Sequence, residues 1–100
     1  MAERFVYQFD WDISKAMANW RKHGMSFEMA ATVFRDPRAL SRYDADHSQS
    51  EERWITLGLA ETGQLAVVVH TFEELPEEAR IRIISARYAT AHERRQYQSS

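Results

Sequence analysis

The spacing of apolar positions changes period along the chain, and each change marks an element. Residues 5–9 (FVYQF) alternate apolar with polar and are rich in aromatics, which predicts a first strand. From Asp12, an N-cap residue, the spacing becomes helical: Ile13, Met17 and Trp20 form an apolar stripe beside Ala16. Lys22 and His23 fill the last turn, where positive charge suits the helix dipole, and Gly24 can take the left-handed position that ends a helix. Ser26 opens a second helix with the stripe Phe27, Ala30, Ala31 and Phe34, stopped by Asp36-Pro37. Met29 stands where a capping box needs Glu or Gln, so this end is expected to fray.

Period two then returns. Residues 39–43 predict a strand, 44–52 (DADHSQSEE) a polar loop, and 53–60 a strand alternating Ile55, Leu57 and Leu59 against Trp54, Thr56 and Gly58. The turn Glu61-Thr62-Gly63 makes a hairpin with residues 64–72, whose run LAVVVHTF reads as a central strand buried on both faces. After an acidic loop through Pro76, residues 80–87 (RIRIISAR) form the last strand, and Thr90 caps a helix over 91–97. The expected fold is a single α+β domain over residues 1–100, ordered β-α-α-β-β-β-β-α, its mostly antiparallel sheet covered by helices on one face.

Composition narrows the class. With 44% apolar residues, three Gly and two Pro, 100 residues can bury a core, and the absence of Cys excludes disulfides and thiolate chemistry. The apolar runs are far short of the roughly 20 residues of a membrane helix, and acidic residues arrive too early for a signal peptide, so a cytoplasmic protein away from membranes is expected. The net charge of −2 argues against bulk electrostatic binding of nucleic acid, yet five Arg (80, 82, 87, 94, 95) face one Glu from residue 80 onward. A small basic surface of that kind suits a phosphate site or an acidic partner.

Four stretches, FDWDISKAMANWRKHG (9–24), SFEMAATVFRDP (26–37), DADHSQSEERW (44–54) and RIRIISARYATAHERRQYQ (80–98), together resemble the BrnT-type ribonuclease toxins of type II toxin–antitoxin systems. The resemblance implies a RelE-like fold, RNA cleavage that arrests translation, and neutralisation by a BrnA-type antitoxin whose ribbon-helix-helix part binds operator DNA. The alternative is a catalytically silent module that only forms the antitoxin complex and co-represses its operon. The acidic balance and a C-terminal helix less basic than is usual in the family favour that alternative.

Metal-free RNA cleavage requires a base for the 2′-hydroxyl, an acid for the departing 5′-oxygen, and cations for the charge that builds on phosphorus. Lys22, Arg82 and Arg87 match the family's positions for those cations, with Arg53 beside them and His23 the expected proton-transfer group. Strict alternation separates Arg82 from Arg87, so their convergence needs a bend near Ser85 or an early strand end. Arg80, Arg94, Arg95 and Tyr97 are candidate RNA contacts, the charged face around Glu93 being equally suited to an antitoxin. Helix-dipole pairing for Lys22 and surface ion pairs for the arginines are the plain structural readings. His70 reads as a core residue, His47 as turn chemistry and His92 as a solvated helix residue; no paired spacing suggests zinc, and no cofactor or metal is expected. Trp11, Trp20 and Trp54 read as core packing rather than base stacking.

Overall fold

Residues 6–100 are described in the computed structural model; Phe5, expected to open the first strand, lies outside them. The strands are β1 (Val6–Asp10), β2 (Leu40–Tyr43), β3 (Trp54–Leu59), β4 (Leu65–His70), β5 (Glu73–Glu74) and β6 (Glu78–Tyr88). The helices are α1 (Ile13–His23), α2 (Phe27–Ala31), which tightens into a 3₁₀ turn over Thr32–Arg35, and α3 (Ala91–Gln98). The α+β class and the element order stand as expected, with the short β5 added where a loop was expected. The sheet runs β1-β6-β4-β3-β2, β5 also pairing with β6. Every pairing is antiparallel except β1 with β6, which matches Val6 to Glu78 and Asp10 to Arg82 in parallel.

β4 lies between β6 and β3 and is buried on both sides, as its unbroken apolar run demands. Ala66 and Val68 join Ile81, Ile83 and Ala86 beneath Met25, Phe27, Ala30 and Val33. The alternate residues Leu65 and Val67, with Leu57, pack under Tyr97 of α3 on the other side. Helices therefore cover both faces, not the single face expected: a strand apolar on both sides would otherwise leave Leu65 and Val67 in water.

The setting of α1 also departs from the sequence reading. Its ends are as expected, Asp12 accepting from the Lys15 N–H and Gly24 ending the helix at φ 69°. The stripe Ile13, Met17 and Trp20 nevertheless faces solvent, and Asn19 turns inward. The Asn19 amide donates to the Met25 and Ala86 carbonyls at 3.0 and 2.8 Å, while its oxygen accepts from the Ala86 N–H at 3.0 Å. β1 stops opposite Arg82, so on the side of Ala86 away from its β4 partner Val68 no strand follows, and Asn19 supplies the hydrogen bonds a strand there would have made. Satisfying that edge decides the rotation of the helix.

Gly58 marks the closest approach of β3 to the helical layer. A Cβ there would meet Val33 Cγ1 at 2.6 Å and Ala39 Cβ at 3.0 Å. Gly58→Ala is expected to destabilise the fold by about 1–3 kcal/mol through overpacking, read as a lower urea midpoint at unchanged slope.

Candidate active site

β6 determines the site because it does not alternate throughout. Val69 pairs with Ser85, but His70 pairs with Ile83, leaving Ile84 as a bulge residue. Before the bulge Ile81 and Ile83 face the main core; after it Ala86 does. The arginines between these core positions, Arg80 and Arg82 before and Arg87 after, consequently share the opposite face with Ser85. The extra residue removes the separation that strict alternation imposed. At about 3.3 Å per residue, Arg82 and Arg87 still lie roughly 15 Å apart along the strand, wider than one phosphate group.

Each arginine has its own surroundings. Arg82 pairs with Glu51 Oε2, and the other oxygen of Glu51 lies 3.5 Å from Arg53, so one carboxylate bridges two cations. The Arg53 Nε is buried without a hydrogen-bond partner among the described residues. Arg87 grips Glu93 with both terminal nitrogens, at 2.8 and 2.9 Å. Around that pair a groove of about 530 Å³ opens between the sheet and α3. Leu40, Ile55, Leu57, Val67 and Val69 form its apolar floor, and Arg42, Ser85, Arg87, His92, Glu93 and Gln96 its polar rim. An apolar floor with a cationic rim can seat a base and hold the phosphate beside it.

The other expected residues fall in different places. Lys22 is exposed at the end of α1, where the Gly24 carbonyl accepts from the Tyr88 hydroxyl at 3.3 Å; α1 packs through Ala16 against the main core, whereas Arg82 and Arg87 lie on the opposite face of the sheet. Lys22 has no ion pair among the described residues. Helical rotation sets it on the other side of Asn19 from the core-facing Ala16, and sets half-buried His23 on the Ala16 side. Adjacency in sequence thus does not make Lys22 and His23 neighbours on one surface. Arg80 is exposed near Glu73 and Glu78, each 3.9 Å away, and Arg94 and Arg95 are solvated on α3. Tyr97, expected as a free RNA contact, is instead buried, its hydroxyl donating to Asp36 at 2.6 Å. The Arg38 guanidinium lies 5.3 Å from its ring centroid.

His70 is a core residue as read: its Nε2 accepts a hydrogen bond from the Thr56 hydroxyl at 2.7 Å and its Nδ1–H donates to the Thr71 carbonyl at 2.8 Å. Burial pushes its pKa below the ordinary value, so the ring stays neutral. His47 closes a turn onto Asp44 at 3.0 Å. Among the described residues no group of three or more His, Asp or Glu stands together as a metal site.

Residues 11–93 match the family model described as the ribonuclease toxin BrnT of type II toxin–antitoxin systems. The chain belongs to the BrnT toxin family. The fold is similar to the 1.1 Å crystal structure of the Brucella abortus ribonuclease toxin BrnT, 20% identical, with a TM-score of 0.50 over 85% of this chain and 97% of that one. No curated protein sequence matches the chain.

Within this BrnT-family fold, Arg42 and His92 are groove residues that sequence reasoning missed. The signal for Arg42 was present: the strand register that faces Leu40 to Leu57 also faces Arg42 to Ile55. His92 carries no such signal, because its place depends on α3 crossing to the second face. Glu93 has two tasks, accepting from the Thr90 N–H at 2.8 Å in a capping box and holding Arg87. The Arg87 hydrogen bonds lower its pKa from 4.5 to about 2, burial opposing them and the Thr90 N–H adding to them. Because the folded value is depressed, the stabilisation is complete above pH 4.5 and is lost as the pH falls toward about 2. Thermal melts should show Glu93→Gln less stable than wild type at neutral pH, with the gap closing as pH falls through that window.

Proposed function

We propose that this BrnT-family chain is a metal-independent endoribonuclease that cuts single-stranded RNA in the cell cytoplasm and arrests translation. The observation that carries the reading is the Ile84 bulge, which brings Arg82 and Arg87 onto one face with Arg53, Arg42 and His92. In this reading Arg87 stabilises the scissile phosphate, Arg82 and Arg53 hold the neighbouring one, and Lys22 approaches from the edge of β6. His92, in the groove, takes the proton-transfer role first expected of His23. The 2′-oxygen attacks phosphorus and gives its proton to a base, the P–O5′ bond breaks, and the 5′-oxygen gains a proton. The products are a 2′,3′-cyclic phosphate and a 5′-hydroxyl.

The family implies an antitoxin; we propose the BrnA type, encoded in the adjacent reading frame, with a ribbon-helix-helix part that takes the complex to operator DNA. Incubating the purified chain with single-stranded RNA and excess EDTA is expected to give cyclic-phosphate ends at an undiminished rate. Loss of cleavage with the chelator would overturn metal independence. A second reading, a silent module that only binds its antitoxin, draws on Glu51 and Glu93, which occupy the arginines in the free protein. Expression without antitoxin separates the two: growth arrest supports the ribonuclease, harmless accumulation the silent module.

A further inference from the structure

The strand registers divide the floor of the arginine groove into two rows. One runs Arg87, Val67, Leu57, Leu40 and the next Ser85, Val69, Ile55, Arg42, each crossing four strands from β6 to β2. Tyr97 lies over the first row and helps bury Val67 and Leu57. In the second, Val69 and Ile55 stay half-exposed, so this row is the open part of the floor. At about 4.8 Å per strand it reaches about 14 Å from Ser85 to Arg42.

The two ends of the open row differ in chemistry. Ser85 shares the β6 end with Arg87, two residues further on, and its hydroxyl has no hydrogen bond among the described residues. It is a donor ready for a phosphate that Arg87 grips. Arg42 stands alone at the β2 end. Its side chain has no ion pair or hydrogen bond among the described residues, whereas Glu51 or Glu93 occupies Arg53, Arg82 and Arg87. Between the ends, Val69 and Ile55 offer nothing to a phosphate but suit the flat face of a base.

A nucleotide anchored by its phosphate at β6 thus lays its base across the row toward Arg42. That guanidinium offers only donors, held in a planar fork. Guanine presents two acceptors side by side, O6 and N7, whereas adenine sets an amino donor beside N7, uracil has a single acceptor and cytosine a donor. In a single strand these edges are open to a side chain. We propose that Arg42 is a specificity-determining residue and selects guanine beside the scissile phosphate. The proposal rests on the ribonuclease reading above, which by itself requires no base preference.

The test uses short single-stranded RNAs carrying one G, A or C within a uridine run, and the uridine run alone, with kcat/KM taken at each mapped cut. Wild type should cut beside G about 10-fold or more faster than beside the other bases, within the range a bidentate arginine contact gives. Replacing that G by 7-deazaguanine, which lacks the N7 acceptor, should remove most of the advantage. Arg42→Lys, which keeps the charge and loses the fork, should do the same, as should Arg42→Ala. Arg42 is exposed on the edge strand β2, so both variants should melt like wild type. Equal slowing on all four RNAs in Arg42→Ala would make this arginine a phosphate contact and overturn the proposal. So would a wild type that cuts all four alike, or an adenine preference lost in Gln96→Ala, which would give base reading to α3. If the wild type cuts none of them, the ribonuclease reading itself falls, and this proposal with it.

Discussion

Arg82→Ala is expected to slow cleavage at subsaturating RNA by about 10- to 100-fold with the fold intact, because its guanidinium holds the phosphate next to the scissile one and a hydrogen bond to a charged group is worth about 1.5–3 kcal/mol. The guanidinium loses nothing structural that matters: it is about one-third exposed, and its partner Glu51 remains near Arg53. What changes is the field in front of the sheet. Without Arg82, Glu51 keeps its charge beside a face meant for phosphate, so the variant both loses a cation and leaves an anion under-compensated. Glu51→Gln gives the complementary result, freeing Arg82 and Arg53 and tightening RNA binding. Single-turnover cleavage of end-labelled RNA reads the first effect and titration of a non-cleavable 2′-deoxy analogue the second. Arg82→Ala cleaving within threefold of wild type would remove this arginine from the mechanism and leave the Arg87 groove to act alone.

The largest stability effect should come from Asn19→Ala, a loss of about 3 kcal/mol. Three hydrogen bonds disappear, and Ala86 keeps a buried N–H and carbonyl with nothing to meet them. Each group left that way costs about 1–3 kcal/mol. In a domain whose whole stability is of the order of 5–15 kcal/mol this is severe. Asn19→Asp is a sharper test, since it keeps the acceptor for the Ala86 N–H but sets a carboxylate against the Ala86 carbonyl and should be at least as damaging. Urea denaturation measures both; a change below about 1 kcal/mol for Asn19→Ala would mean that water serves this edge adequately.

Local chemistry made much of the fold legible. Asp12, Gly24, Ser26 and Thr90 are caps whose hydrogen bonds lie within a few residues, and each stands where the sequence put it. The alternation of Ile55 and Leu57 and the apolar run of β4 likewise told which strand would lie in the middle. What stayed hidden depends on partners far along the chain. The bulge at Ile84 follows from the register of β4 against β6, and the inward turn of Asn19 from the place where β1 ends. Tyr97 looked free because Asp36, its hydroxyl partner, is 61 residues earlier. The arginines were chosen by family pattern, whereas Arg42 and His92 enter the groove only once β2 and α3 are packed. Ile13, Met17 and Trp20 had the right spacing for a core and no core to enter.

The parallel pairing of β1 with β6 carries a consequence for how the chain assembles. Val6 meets Glu78, 72 positions later (78 − 6), while β3 and β4 are joined by a hairpin. Short-range contacts close quickly and distant ones late, so the hairpin is the natural nucleus and β1 the strand secured at the end. α1 follows directly on β1, so the hydrogen bonds between Asn19 and Ala86 close only when that last strand is in place.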